Sequence, residues 1–248
     1  MTSIVLNNVS LSFPIYGVNA LSFKNNLISL LSANIISNNN NNIITVKALS
    51  DISISIKKGE RVGLIGSNGS GKTSLLKLLT GIFYPTTGSI NISGEIRSII
   101  DLSFGIDPEA TGRENIKFRL LMLGYSDAQI KEMEPIIIKS SGIDSFIDLP
   151  TQVYSSGMNI RLAFAMSVIG KGDITIMDEW LSVGDMTFMK FAEKQLNFIV
   201  NESQILIIAS HDFNIIKKLC NRCILLDKGK VIVDSTPEIA INYYVENF

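Results

Sequence analysis

Residues 66–73 read Gly-Ser-Asn-Gly-Ser-Gly-Lys-Thr and fill every fixed position of the phosphate-cradling pattern G-x-x-x-x-G-K-[ST]. No other feature restricts the fold as much. The pattern works only where a strand delivers the loop and a helix leaves it, and the apolar run Val62, Gly63, Leu64, Ile65 stands where that strand belongs. Its glycines let the backbone curl, so that the amides of Gly66, Ser67, Asn68, Gly69, Ser70 and Gly71 turn inward on phosphate oxygens. The helix beginning near Lys72 points its positive end at the same anions. Lys72 then pairs with the β- and γ-phosphates, the Thr73 hydroxyl ligates Mg²⁺, and Ser74 is assigned with them to the nucleotide site. A glycine-rich turn that precedes a helix by accident is the plain alternative; the order of strand, motif and helix weighs against it. The expected ligand is a nucleoside triphosphate.

The chain has 248 residues, 46% of them hydrophobic, enough to bury a core without disulfides or metal. Its 22 basic and 23 acidic residues leave a net charge of -1, which gives no electrostatic footprint for nucleic acid. Mean hydropathy is high, at +0.29. Yet there is no run of the roughly 18 apolar residues that a membrane span needs, and Met1-Thr2-Ser3-Ile4 is not the basic start of a secretion signal. The expectation is a cytoplasmic protein that does not itself cross a membrane. Its surplus hydrophobicity belongs either to Ile-rich core strands or to a surface docked on an integral membrane partner. Cys220 and Cys223 form a lone Cys-x-x-Cys. Zinc needs about four ligands, and the sole histidine, His211, is needed elsewhere. The pair therefore reads as two structural thiols, one at a helix end and one at the start of the strand Ile224-Leu225-Leu226.

Strand patterns cover 4–13 and 46–56, and residues 57–60 turn into the strand before the glycine-rich loop. Residues 90–92 and 96–100 read as a short strand pair around Ser93-Gly94. From 102 to 170 the pattern is helical, with helices over 112–123, from a capping box at Ser126-Asp127-Ala128-Gln129, and over 159–169. Strand and helix then alternate: 174–177, 185–200, 204–209, 212–219, a hairpin turned by Asp227-Lys228-Gly229-Lys230, and a last helix from Pro237. The predicted class is α/β: a P-loop NTPase (RecA-like) core with a mostly parallel sheet, an N-terminal antiparallel β subdomain and an inserted α-helical subdomain, all in one domain over 1–248. One stretch, 21–32, is not needed for a nucleotide site. It sets Phe23, Leu27, Leu30 and Leu31 on one helical face and is followed by the polar run 38–42, which can only be loop. That helix either packs on its own core or lies against a membrane partner or the bilayer surface.

Downstream, the apolar strand Ile174-Thr175-Ile176-Met177 ends in Asp178 and Glu179. Such an arrangement delivers one carboxylate to a metal at the carboxyl edge of the sheet and leaves the next to act as general base toward an attacking water. Asp178 is assigned the metal and Glu179 the proton. The strand at 205–209 is likewise followed by Ser210 and His211, which puts the histidine where it can hydrogen-bond a γ-phosphate.

Between the glycine-rich loop and the acids stands Tyr154-Ser155-Ser156-Gly157-Met158-Asn159-Ile160-Arg161-Leu162-Ala163. It resembles the signature sequence of ABC-type ATPases, Leu-Ser-Gly-Gly-Gln in most members. With the P-loop, the acid pair and the histidine it makes an ordered set of four motifs. The Tyr-Ser-Ser-Gly-Met variant, and the segment from Gly105 through Asp107-Pro108-Glu109 to Asn115-Ile116, look like those of the ATPase subunits that export O-antigen, teichoic acid and capsule. An amphipathic helix before the P-loop, called a gate helix in O-antigen exporters, matches 21–32. The resemblance implies ATP and Mg²⁺, and a homodimer joined head to tail in which Ser155, Ser156 and Gly157 meet the γ-phosphate held by the other copy. It also implies a separate transmembrane permease, and a lipid-linked polysaccharide as cargo, handled at the cytoplasmic face of the bacterial inner membrane. Asp185 resembles the aspartate of the loop that crosses the dimer interface. Phe13, with Tyr16 as alternate, stacks on adenine or is a core aromatic. Most members carry a glutamine after the strand at Ile99-Ile100 that touches Mg²⁺; here the nearest polar residues are Asp101 and Ser103, and Asp101 is assigned to the metal. The chain ends at Phe248, so an appended carbohydrate-recognition domain is not expected.

Overall fold

Along 51–57 the side chains of Asp51, Ser53, Ser55 and Lys57 are exposed while Ile52, Ile54 and Ile56 are buried, the period-two pattern of a strand with one covered face. The computed structural model describes residues 1–15, 35–37, 44–100, 105–169, 172–178 and 186–248. The chain begins with strands β1 (Ser3–Ile15), β2 (Ile35–Ser37), β3 (Ile44–Lys57) and β4 (Arg61–Ile65), then helix α1 (Lys72–Leu79) and strands β5 (Thr87–Ser93) and β6 (Ile96–Ile99). Helices α2 (Gly112–Met122), α3 (Asp127–Ser141) and α4 (Ser156–Val168) follow, then β7 (Ile174–Asp178), α5 (Met186–Glu202) and β8 (Ile205–Ala209). The chain closes with α6 (Phe213–Leu219), β9 (Arg222–Asp227), β10 (Lys230–Ser235) and α7 (Pro237–Asn247). It is a P-loop NTPase fold, and it divides into two compact units. Among the described residues no helix is long and apolar enough to cross a membrane.

The first unit comprises Met1–Ile96, Asp173–Trp180 and Ser203–Phe248. Its antiparallel sheet has the order β2-β3-β1-β5, and its second sheet the order β10-β9-β4-β8-β7-β6. Strands β9, β4, β8 and β7 pair with one another in parallel, whereas β10 pairs antiparallel with β9. All five side chains of β8 are buried, as a parallel strand covered on both faces requires. The suggested strand pair at 90–92 and 96–100 does not form. Strand β5 lies beside β1, with Ile4 opposite Ile92, whereas β6 is the edge of the other sheet. Gly94, at φ 127, is the link: a Cβ there would lie 3.0 Å from Thr2 Cγ2 and 3.3 Å from Asp173 Cβ, so the chain slips past both rather than turning a hairpin.

The second unit comprises Arg97–Gly172 and Leu181–Glu202. Thr111 with Glu114, and Ser126 with Gln129, close capping boxes on α2 and α3. Ile116, Leu120, Ile130, Ile137 and Leu162 form its core. Helix α4 starts at Ser156 rather than at 159. Ser155 is its N-cap, its Oγ accepting from the Met158 amide at 3.2 Å, so Ser156 and Gly157 belong to the first turn of the helix.

Cys220 caps the end of α6, Cys223 lies in β9, and both thiols are free and buried. Burial pushes each up to about 12 from an ordinary value of 9.0. A thiol whose pKa rises on folding is held neutral by the fold. Its contribution to stability is therefore complete below pH 9 and is lost as pH climbs toward about 12. At pH 8 the native protein should leave both thiols unmodified by a chromogenic disulfide reagent, and both should react once it is unfolded in guanidinium. Rapid labelling of the native protein at pH 8 would contradict this burial.

Candidate functional site

Parallel pairing sets three strand ends side by side, with Leu64 opposite Ala209 and Ala209 opposite Asp178. The loop leaving β4, the last residue of β7 and the histidine two residues past β8 therefore meet at one carboxyl edge. The loop needs its glycines: at Gly66, φ 145, a Cβ would run into the Leu226 carbonyl oxygen, and at Gly71, φ 107, it would lie 2.9 Å from the Ala48 carbonyl oxygen. Lys72 is 8% exposed and curls back into the loop, its Nζ donating to the carbonyls of Gly66 at 2.7 Å and Ser67 at 3.0 Å. Helix α1 starts at Lys72 with no side chain capping it and no acid in its first turn, which leaves its positive end to an anion. The Thr73 hydroxyl donates to Asp178 Oδ2 at 2.8 Å.

These groups line a cleft of about 320 Å³, at the lower end of the roughly 300–1,000 Å³ that small-molecule sites occupy. Residues 68–74, Asp178 and His211 form part of the lining; Val46, Lys47 and Ala48 of β3 and the β9–β10 turn, Lys228 and Gly229, supply the rest. Three lysines against one carboxylate suit a polyanion. The Ser70 hydroxyl, buried in the loop, has no hydrogen-bond partner, and a native loop seldom leaves such a group unmatched unless something else completes it. An oxygen-only pair, Thr73 Oγ1 and Asp178, is the donor type that Mg²⁺ takes. The residues present fit a magnesium nucleotide.

Lys72, Thr73, Asp178 and His211 are thus brought together, with Asn68, Gly69, Ser70, Gly71 and Ser74, while Gly66 and Ser67 supply the carbonyls that hold Lys72. Phe13 lies opposite Val46 in the β1–β3 ladder and packs edge-on against Phe83 at 5.1 Å, with Lys77 Nζ 5.9 Å from the Phe83 ring centre. Ser155 and Ser156 are exposed at the start of α4, with Gly157 half-buried behind them. Tyr16, Asp101, Ser103, Glu179 and Asp185, the helix at 21–32 and the polar run 38–42 lie outside the described residues. Lys47, Lys228 and Gly229 are lining residues that the motifs do not reveal.

The family model described as ABC transporter matches residues 49–182. The chain belongs to the ABC transporter family. Its place in that family is the ATPase subunit. The O-antigen export system ATP-binding protein RfbE of Yersinia enterocolitica is 39% identical over 235 residues, 95% of this chain and 98% of the relative. The teichoic acids export ATP-binding protein TagH of Lactococcus lactis is 40% identical over 225 residues, 91% of this chain but 47% of the relative, so the chain spans about half the length of that protein. A dimeric ATP-binding cassette solved in a post-hydrolysis state with ADP and Pi superposes with a TM-score of 0.69 over 94% of this chain and 98% of that one, at 19% identity, and shows the shared fold.

The Thr73 to Asp178 bond generates a test. Thr73→Val removes the hydroxyl and should weaken magnesium-dependent ATP binding at least about tenfold, whereas Thr73→Ser should keep it. Calorimetric titration with and without Mg²⁺ reads the difference. Equal affinity in all three proteins would mean that the cleft does not hold metal through Thr73.

Proposed function

We propose that this ABC-family ATPase binds ATP with Mg²⁺ in the β4-edge cleft and hydrolyses it to drive export of a lipid-linked cell-surface polysaccharide, O-antigen foremost, through a separate transmembrane subunit. The observation that carries the chemistry is the convergence of Lys72, Thr73, Asp178 and His211 on one cleft at one sheet edge. Magnesium, when bound, would supply positive charge that offsets the negative charge of the phosphates. Lys72, held by two loop carbonyls, is set to move onto phosphate oxygens; Thr73 and Asp178 hold the cation; His211 hydrogen-bonds the terminal phosphate. Glu179 takes the proton of the attacking water, and Asp101 is the further candidate for the metal.

The cargo reading rests on the near end-to-end match with RfbE. Teichoic acid export is the second reading, favoured by the 40% identity with TagH. Two copies are proposed to meet head to tail, so that Ser155, Ser156 and Gly157 of one complete the phosphate site of the other, with Asp185 at the crossing and Phe13 or Tyr16 against adenine. The 21–32 helix is proposed to face the permease mouth, and the assembly to sit peripherally on the cytoplasmic face of the bacterial inner membrane.

With Glu179 as base, Glu179→Gln should bind ATP and Mg²⁺ normally while turnover falls roughly 10² to 10⁴-fold, and ATP should trap the dimer. Near-normal phosphate release from the variant in complex with its permease would remove Glu179 from this role. Ser155→Arg separates binding from closure: the isolated subunit should bind ATP with unchanged affinity and fail to dimerise or hydrolyse it. A matching collapse of monomer affinity would assign Ser155 to the same-chain site and end the head-to-tail reading.

A further inference from the structure

The β9–β10 hairpin has a two-residue turn, Lys228 and Gly229 at φ 45 and 75, with Lys230 paired to Asp227. In this type I′ geometry the first place favours Asn, Asp or Gly, because longer side chains are strained in the left-handed region. Among the described residues the other non-glycine positions with positive φ are Asn8 and Asp51, types that tolerate it. Lysine is the unfavoured choice. Strain of this kind persists where surroundings enforce it, and it gathers at ligand sites.

The surroundings here do enforce it. The Gly229 amide donates to the Ser70 carbonyl at 2.9 Å, and the Ser50 amide donates to the Gly229 carbonyl at 2.8 Å. A Cβ on Gly229 would lie 2.6 Å from the Ala48 carbonyl oxygen. The turn is thus fastened both to the P-loop and to β3, and it presents Lys228 to the cleft beside Lys47. Lys47 sits 3.6 Å from the Asp51 carboxylate and one residue from Val46, the partner of Phe13.

We propose that Lys228 is a nucleotide-binding residue whose ammonium engages the base-proximal phosphate, with Lys47 beside it, while Lys72 serves the terminal phosphates. This rests on reading the cleft as an ATP site. Lys72 stands at the start of α1, whereas Lys47 stands on the β3 wall one residue from Val46, the partner of Phe13, and the Lys228 turn is fastened to β3 at Ser50; on this reading the lysines divide the phosphate chain between them. A base-proximal contact acts on ATP, ADP and AMP alike and leaves adenosine indifferent.

The test compares the affinities of ATP, ADP, AMP and adenosine for the full chain and for Lys228→Asn, Lys228→Arg and Lys72→Ala. Asparagine suits the turn, so Lys228→Asn should melt no lower than the parent, yet bind ATP, ADP and AMP about tenfold more weakly. Adenosine affinity should not change, and Lys228→Arg should recover most of the loss. Lys228→Asn with unaltered ADP and AMP affinity overturns the proposal, and so does an equal loss for adenosine, which would mean a change of cleft shape rather than of charge. If ATP binds the parent tightly but Lys72→Ala costs nothing, the reading of the cleft itself fails, a result distinguishable from failure at Lys228 alone.

Discussion

The site depends on β4 being held in register between β8 and β9, because the Thr73 to Asp178 bond of 2.8 Å cannot survive a slip of one residue, about 3.3 Å along a parallel strand. The lock lies at the opposite edge. Residues just before each of the four parallel strands are laced together: the Gly59 amide donates to the Gln204 carbonyl at 2.7 Å, and Gln204 Nε2 donates to Asp173 Oδ1 at 2.6 Å. The Arg61 amide donates to Asn221 Oδ1 at 2.9 Å, and Asn221 Nδ2 returns a bond to the Gly59 carbonyl at 3.0 Å. Arg222 adds a two-pronged pair with Asp234, both contacts 2.7 Å, and a bond to Glu60 at 3.0 Å. A pair so exposed contributes little stability alone, but its fork fixes where β9 begins. Register set by side chains at the amino edge is thus read out as the geometry of the cleft at the carboxyl edge.

Close packing transmits that register. Gly63, in the middle of β4, would place a Cβ 2.8 Å from Ile216 Cγ2 and 3.4 Å from Cys220 Sγ, so α6 sits directly on the strand. Cys220 packs in this contact, and Cys223 lies opposite Gly63 in the β4–β9 ladder, so both buried thiols take part in the packing around the strand.

What was legible in the sequence was local. The P-loop, the acid ending β7 and the capping boxes each draw their chemistry from residues within a few positions, and each lies where its pattern says. The partners of β5 and β6 were not legible, since Ser93-Gly94 serves equally well as a hairpin turn or as a crossing between sheets, and only contacts with Thr2 and Asp173 decide. The cleft walls were hidden for the same reason: Lys47 and Lys228 reach it from β3 and from a hairpin far along the chain. One local signal existed, a lysine in Asp-Lys-Gly-Lys where asparagine or glycine suits the turn.

The second unit shows how a variant motif can be one feature rather than two. Asn115, fully buried, donates to the carbonyls of Asp107 at 2.9 Å and Thr111 at 3.0 Å and accepts from the Asp107 amide at 2.7 Å, which ties up the loop before α2. The segment before α4 is bonded to that loop, the Thr151 amide to the Ala110 carbonyl and the Gln152 amide to the Pro108 carbonyl, both at 2.9 Å. Tyr154, where most signatures have leucine, is 7% exposed; its hydroxyl donates to the Phe146 carbonyl at 2.7 Å, and burial raises its pKa. That hydroxyl occupies the place that a Cβ on residue 112 would need, so the tyrosine is compatible only with Gly112. Gly112 in turn begins α2 directly after the Thr111 cap. The unusual signature and the 105–116 segment are therefore bound to each other sterically: changing Tyr154 back to leucine would leave a void and the Phe146 carbonyl without its donor, and changing Gly112 alone would drive the tyrosine out.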